Sequence, residues 1–259
     1  MSGSASTGAI GAAAGGTGGA LLLIAALSYQ NEPTPMPVTA AALILLGARV
    51  IATRLAVGRA TSRDGTGRGG AGAAELAGAA LAIAAGGAAI ATGRWEASAT
   101  AGIAGAAFLC CQAQRFTAAA SDLAPPQRRP LAMLTVSTAL VEGTAALALF
   151  QLAAADYRHG VAVVMALLIL VRLFLWLGCL KRLRGTALSE TVLERLAGFN
   201  TAFVFFGNAV PAILVANSIF TPGLMHGMVA AAAAIALVAG WHLTVTLAAG
   251  VLSPTADRA

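Results

Sequence analysis

Four charged side chains interrupt long apolar stretches of the sequence: Arg49, Glu75, Glu142 and Arg172. Because a charge at the centre of a lipid bilayer is costly, each of these residues requires a partner or a function. A carboxylate and a guanidinium placed there form a structural ion pair that fixes helix register, a proton route, or the polar wall of a ligand site. For Glu142 these interpretations all stand, whereas a structural role is favoured for Arg172.

The depths of these residues along their predicted helices allow them to pair. At about 1.5 Å per residue, Glu142 lies roughly 16 Å from one end of its helix, Arg172 roughly 13 Å and Arg49 roughly 12 Å. We therefore predict a buried polar network in which Glu142 pairs with Arg49 or Arg172. Glu75 stands only four residues into its predicted helix, where its side chain could extend to the membrane interface.

The composition explains why these charges must lie in a membrane. Of 259 residues, 58 % are hydrophobic and 10 % are charged, and the mean hydropathy is +0.82. An ordinary soluble domain has about 45–50 % apolar and about 25 % charged residues. Too few polar side chains remain to cover a water-soluble globule, and the same numbers exclude disordered, fibrous and disulfide-scaffold proteins. The chain is predicted to be an integral membrane protein.

Eight stretches are long and apolar enough to span a bilayer, for which about 20 residues are needed. They are 8–28, 38–57, 71–92, 97–117, 131–153, 160–181, 199–219 and 225–252. The sequence therefore predicts an all-α polytopic membrane protein, with residues 1–259 forming a single eight-helix transmembrane domain. The proline-rich segment 125–130 is predicted to be a break before the fifth helix. The run Gly15–Gly19 is interpreted as a surface for close helix packing, because no strand precedes it and no Lys-Ser/Thr pair follows.

The basic residues predict the orientation. Connections after the second, fourth and sixth spans, together with the C-terminus, carry 12 of the 16 Lys and Arg residues, whereas the opposite side carries only Arg94 and Arg158. By the positive-inside rule, both termini are cytoplasmic. Tyr29, Trp95 and Tyr157 then fall at the outer boundary, where aromatic rings prefer to lie. The net charge of +6 is thus a topology signal, and no nucleic-acid partner is predicted.

The remaining metal-binding residue types predict no metal site. His159 and His226 fall at the outer edge of the predicted bundle and His242 near the inner edge, so no two histidines face each other at the depth that a transmembrane haem requires. The three cysteines, two of them adjacent, form no Cys-x-x-Cys motif. Ligand sets for zinc and for iron–sulfur clusters are therefore not predicted in this chain.

Several short motifs follow one another in the order known from a family of membrane anchors. They are the glycine-rich Gly15–Leu22, the segment Leu55–Arg59, Glu75, the segment Cys111–Arg115, the segment Leu140–Gly143 and Ala239–Trp241. In this order, and with eight spans, the sequence resembles the polysulfide reductase/NrfD-type membrane anchors. These are the integral subunits of molybdenum- and iron–sulfur-containing oxidoreductases related to dimethyl sulfoxide reductase.

The resemblance implies a function in electron transport. An anchor of this kind binds a quinone, either menaquinone or ubiquinone, and exchanges electrons with a ferredoxin-like iron–sulfur subunit next to a molybdopterin catalytic subunit. It is not catalytic on its own and holds no haem or cluster. By resemblance and by position, Glu75, Arg59 and Gln112 are expected to bind the quinone head group at the cytoplasmic ends of their helices. The catalytic partners are then expected on the cytoplasmic side of a bacterial or archaeal cytoplasmic membrane.

Two other functions remain open. In a small secondary transporter, Pro211 after Asn208 would break the seventh helix, as broken helices do in transporters. No clear internal repeat is visible at half-length, however. In a purely structural membrane scaffold, the intramembrane charges would tolerate paired apolar replacement.

Overall fold

The computed structural model describes residues 3–30, 32–60, 69–119, 125–183 and 197–252. In these ranges the backbone forms helices and short connections, without a β-strand. The long helices are α1 Gly3–Ser28, α2 Met36–Ala60, α3 Gly69–Thr92, α4 Trp95–Ala119, α5 Pro125–Ala153, α6 His159–Leu183, α7 Ala197–Phe220 and α8 Met225–Leu252. The predicted all-α class and the presence of a helix at each predicted span are confirmed.

All the long helices except α4 are both long and apolar enough to cross a membrane, so the chain is a multi-pass membrane protein. Helix α4 has 25 residues, as α2 and α6 do, but it is less apolar because it carries Glu96, Gln112, Gln114 and Arg115. It packs along α3 and α1 over its length. We therefore expect α4 to be an eighth crossing whose polar side chains face protein.

One predicted boundary is wrong. Helix α5 begins at Pro125, so the proline-rich segment is the start of the helix and not a break before it. Proline is tolerated in the first turn because the N–H groups there have no partner within the helix. Pro130 lies just beyond that turn, inside the helix. The other described helix ends agree with the predicted spans to within a few residues.

The eight helices form two groups of four, α1–α4 and α5–α8. In each group consecutive helices pack side by side and the first helix also packs against the fourth. With α4 counted as a crossing, each group has four spans and both groups run through the membrane in the same sense. The absence of a half-length repeat in the sequence stays a prediction. Helices α1 and α5 form the main contact between the groups.

Helix α1 lies at the centre because glycines let its neighbours approach closely. A Cβ atom on Gly18 would lie 2.8 Å from the carbonyl oxygen of Ala42 in α2. A Cβ atom on Gly143 of α5 would lie 2.6 Å from the carbonyl carbon of Ala20 in α1. Neither backbone atom can move aside, so these positions require glycine. The glycine-rich run in α1 is a helix-packing surface, as predicted.

The outer surface of the bundle is apolar. Ile44, Phe174 and Phe220 are 72 %, 75 % and 81 % exposed. The centre instead contains polar and charged side chains that are almost fully buried, among them Arg49, Glu75, Glu142 and Arg172. This distribution reverses that of a soluble protein and is the one expected where lipid surrounds the helices.

Candidate functional sites in two buried polar clusters

The first cluster joins α2, α3 and α4 through Glu75. The Nε atom of Arg49 donates a hydrogen bond of 2.7 Å to Oε1 of Glu75, and Nη2 of Arg49 lies 2.6 Å from the same oxygen. The Nη1 atom of Arg115 donates a bond of 2.5 Å to Oε2 of Glu75. Arg49 and Glu75 are buried, whereas the Arg115 side chain is 25 % exposed. Each carboxylate oxygen thus accepts a charge-assisted hydrogen bond.

Helix α1 completes this cluster with backbone carbonyls. The carbonyl of Gly8 accepts a hydrogen bond of 3.1 Å from Nη1 of Arg49. One turn further along α1, the carbonyl of Ala12 accepts a bond of 2.6 Å from Nε2 of Gln112. The Arg49 side chain fits along α1 because Gly11 and Gly15 present no side chain there. Gln112 and the Arg49–Glu75 pair therefore lie at one level of the bundle, on two sides of α1.

This arrangement differs in two respects from the sequence prediction. Glu75 does not extend to the membrane interface, because two arginines hold it inside the bundle at 1 % exposure. Arg115, which ends the segment Cys111–Arg115 and was not among the predicted site residues, is also a member of the cluster. Its spacing of three residues from Gln112 places both on one face of α4, which is the signal that could have identified it. Arg59 lies in the last turn of α2, and its side chain is outside the described part of the structure.

The second cluster lies between the two four-helix groups, around Glu142 of α5. The hydroxyl of Thr17 in α1 donates a hydrogen bond of 2.6 Å to Oε2 of Glu142. That hydroxyl oxygen accepts a bond of 2.8 Å from the indole nitrogen of Trp241 in α8. The hydroxyl of Thr244, one turn further along α8, lies 3.4 Å from Oε1 of Glu142. Glu142 therefore links α1, α5 and α8 through neutral donors.

Arg172 of α6 lies next to this cluster and is fully buried. Its Nε atom donates to Oδ1 of Asn208 at 3.0 Å, and its Nη2 and Nη1 atoms donate to the carbonyl oxygens of Gly207 at 2.5 Å and Ala236 at 3.3 Å. The guanidinium also lies 5.1 Å from the centre of the Phe203 ring, within cation–π range. Dipoles and a ring face, and not a carboxylate, are thus in contact with its charge.

A local distortion of α7 makes the carbonyl of Gly207 available. Residues Phe203–Ala209 form a π-helical turn, and Pro211 follows after one residue. Proline has no N–H, so it cannot donate to the carbonyl of Gly207 four residues earlier. That carbonyl accepts from Arg172 instead. The side-chain amide of Asn208 donates to the Phe203 carbonyl at 2.7 Å, which satisfies a second group in the distorted turn.

The structure therefore divides the predicted network of Glu142, Arg49 and Arg172. Arg49 pairs with Glu75, so the expected pairing of Arg49 with Glu142 does not occur. Glu142 and Arg172 both lie against Gly240 of α8, where a Cβ atom would be 2.7 Å from Oε1 of Glu142 and 3.2 Å from Nη1 of Arg172. They are neighbours without a direct ion pair among the described contacts. Gly240 leaves the room that lets both charges lie there.

The opposite end of the bundle carries a third group of polar residues. Arg158 donates to the carbonyl of Ser28 at 2.9 Å and to Glu32 at 2.6 Å, and its guanidinium lies 4.3 Å from the centre of the Tyr29 ring. Burial raises the pKa of Tyr29, and the hydrogen bond to Glu32 raises the pKa of Arg158. These contacts tie the end of α1 to the connection between α5 and α6.

The aromatic residues predicted for one boundary do share this end of the bundle. Tyr29 follows α1, Trp95 begins α4 and Tyr157 precedes α6. The rings of His159 and His226 flank Tyr157, at centroid distances of 5.2 and 5.7 Å. His242 lies in the other half of the bundle. The three histidines are therefore divided between the two ends of the bundle as predicted.

An apolar groove of about 590 Å³ lies between α7 and α8. A cavity of about 300 Å³ lies near the opposite end, between α1 and α4. No group of three or more His, Cys, Asp or Glu side chains able to hold a metal ion occurs in the described ranges.

The fold and these sites define a helical multi-pass membrane protein with two buried polar clusters, one around Glu75 and one around Glu142 with Arg172 next to it. No family model matches the chain, and no curated protein or solved structure matches it.

Proposed function

We propose that this chain is the membrane anchor of a molybdopterin and iron–sulfur oxidoreductase complex, and that it binds quinone or quinol and exchanges electrons with the iron–sulfur subunit. The observation that carries this proposal is the position of Glu75 and Gln112. Glu75 of α3 binds Arg49 and Arg115, and Gln112 of α4 donates to α1 at the same level of the bundle. Arg59, the third expected head-group ligand, lies on α2 toward the same end.

The contacts of this cluster suggest which residue binds the quinone head group and which residue positions it. Reduction of a quinone takes up two electrons and two protons, and its carbonyl oxygens accept hydrogen bonds. Both oxygens of Glu75 are bound by arginines, so Glu75 serves to position Arg115. The partly exposed Arg115 guanidinium then donates to the head group, with Gln112 one turn away on α4. The electrons come from the iron–sulfur subunit, and the protons from the aqueous phase at this end.

The orientation follows from the distribution of basic residues. Eleven Lys and Arg residues stand in the connections after α2, α4 and α6 or in the helix ends that flank them. We propose that this end faces the cytoplasm of a bacterium or archaeon, where the basic connections attract an acidic iron–sulfur subunit. The ferredoxin-like and molybdopterin partners then remain in the cytoplasm.

The direct test is purification of the tagged chain in mild detergent, followed by mass spectrometry of the co-purifying proteins and of extracted quinones. The proposal expects an iron–sulfur protein, a molybdopterin protein and a bound quinone. In that complex, Arg115→Gln should slow quinol-coupled turnover while the dye-coupled activity of the catalytic subunit stays unchanged. The matched control is Arg94→Gln, since Arg94 is 71 % exposed at the opposite end. A chain that purifies alone, without quinone, would refute the proposal.

A second candidate function, secondary transport, is favoured by two observations. The two four-helix groups have the same order of helix packing, as in a parallel repeat, and α7 is interrupted in its middle by the π-helical turn and Pro211. Both features occur in transporters. A transporter would move its substrate across proteoliposomes that contain this chain alone, whereas an anchor would show no flux without its partner subunits.

A further inference from the structure

The groove between α7 and α8 is apolar apart from one side chain. Its floor is formed by small residues, among them Gly207 and Ala239, and its walls include the rings of Phe199, Phe203 and Phe206. Phe206 is 66 % exposed and Val238, on the facing helix, is 69 % exposed. The groove is therefore open toward the lipid and could be entered from the side.

The exception is His242, which ends the groove. Its imidazole lies 4.5 Å from the Phe199 ring, centroid to centroid, and has no hydrogen-bond partner among the described residues. It stands seven residues before the end of the Pro222–Ala249 span, about 10 Å along the axis. Its side chain is exposed where it lines the groove, so its ring nitrogens are accessible to a ligand that enters there.

The shape and charge of the groove select the class of ligand. Its volume of about 590 Å³ falls within the range of roughly 300–1,000 Å³ for small-molecule sites. From Ala234 to His242 it follows α8 for about 12 Å, enough for a ring and a short length of tail. No Lys or Arg is among the described residues that line it, and these offer an anionic phospholipid head group no counter-charge. A neutral ring with a carbonyl or hydroxyl group fits His242 and the phenyl rings.

We infer that this groove is a binding site for an isoprenoid quinone, with the head group hydrogen-bonded to His242 and the tail lying between α7 and α8. The inference rests on the proposed function and adds a site separate from the Glu75 cluster. The groove lies on the second four-helix group, whereas Glu75 and Gln112 belong to the first. Peptides labelled at one site are therefore distinct from those labelled at the other.

The experiment uses membranes that contain the full chain and a photoreactive azido-quinone with a short isoprenoid tail. After illumination, the labelled peptides are identified by mass spectrometry. We expect labelling in α7 and α8 that unlabelled quinone displaces. Ala234→Phe, at an exposed position on the groove wall, should reduce that labelling about tenfold. Ala231→Phe, exposed one turn earlier on α8 and outside the groove, is the matched control and should leave it unchanged.

His242 is tested separately. Loss of one hydrogen bond weakens binding by about threefold to tenfold, so His242→Leu should require that much more quinone for half-maximal labelling. His242→Gln, which keeps a donor and an acceptor, should recover part of the loss. Equal labelling in His242→Leu and wild type would refute the role of His242.

The outcomes separate this inference from the proposed function. Displaceable labelling confined to α1–α4 would overturn the groove and leave the quinone anchor standing. A groove occupied by phospholipid that quinone does not displace would also overturn it. No displaceable label anywhere in the chain would overturn both the groove and the proposed function.

Discussion

Arg49 and Arg172 occupy the same position in two corresponding helices, since each is the fourteenth residue from the start of the second helix in its four-helix group. In the helix that follows, Glu75 faces Arg49 and Phe203 faces Arg172. The first group therefore neutralises its arginine with a carboxylate. The second group uses a ring, an amide and backbone carbonyls, with Glu142 nearby on α5.

The first prediction concerns the ion pair between Arg49 and Glu75. Glu75→Gln leaves a buried guanidinium without its counter-charge, and breaking a buried pair in this way costs about 3–5 kcal/mol. We expect a clear fall in the thermal unfolding temperature of the detergent-solubilised protein, measured by tryptophan fluorescence. Glu96→Gln is the control, because Glu96 forms its ion pair with Arg94 at the exposed surface. That variant should unfold like wild type.

The double variant Arg49→Met/Glu75→Leu removes both buried charges together. Replacing a buried pair by apolar side chains of similar volume is often neutral or stabilising, so the double variant should be more stable than Glu75→Gln alone. A double variant less stable than Glu75→Gln would contradict this expectation. It would show that the attraction within the pair exceeds the free-energy cost of burying its two charges.

The second prediction concerns the distorted turn of α7. Asn208→Leu removes the acceptor of Arg172 Nε and the donor to the Phe203 carbonyl. Leaving buried polar groups unsatisfied costs about 1–3 kcal/mol, or more for a charged group. We expect a lower unfolding temperature in Asn208→Leu. Asn217→Leu, the same exchange at an exposed position of α7, should have no such effect. Equal stability of the two variants would contradict the assigned role of Asn208.

The third prediction concerns the contact between the two four-helix groups. Gly143→Ala places a Cβ atom 2.6 Å from backbone and side-chain atoms of Ala20, so α1 and α5 must separate. Overpacking of this kind costs typically about 1–3 kcal/mol. Gly178→Ala in α6 is the control, since nothing lies within 4 Å of the added methyl. We expect Gly143→Ala to lower the unfolding temperature and Gly178→Ala to leave it equal or slightly higher.

The fourth prediction concerns orientation. Two single cysteines are introduced into a variant that lacks the natural ones. Glu96→Cys lies in the first turn of α4, at the end with few basic residues, and Ser62→Cys lies in the Arg-rich connection after α2. A membrane-impermeant maleimide should label Glu96→Cys in intact cells and Ser62→Cys only after permeabilisation. The reverse pattern would refute cytoplasmic termini and move the expected partner subunits to the other side.

Much of the fold could be predicted from the sequence. Lipid offers no hydrogen bonds to the backbone, so each long apolar stretch must form a helix. The helices at residues 8–28 and 38–57 could be recognised on this ground, because proline and polar residues mark where they end. The same reasoning identified Arg49, Glu75, Glu142 and Arg172 as residues that need partners. The start of α5 at Pro125 was not predicted, because a proline-rich segment is compatible with both a loop and a first helical turn.

Sequence alone determined composition, helix positions and the depth of each charge, since these depend on residue order along one axis. The choice of partner was decided only by the tertiary structure. Glu142 lies at a depth that suits either arginine, but the direction in which each side chain points depends on how the helices rotate and pack. Glycines of α1 bring α2 close, and Arg49 then meets Glu75. The distorted turn of α7 provides acceptors for Arg172. The depth of Arg172 along its own helix could not predict that turn.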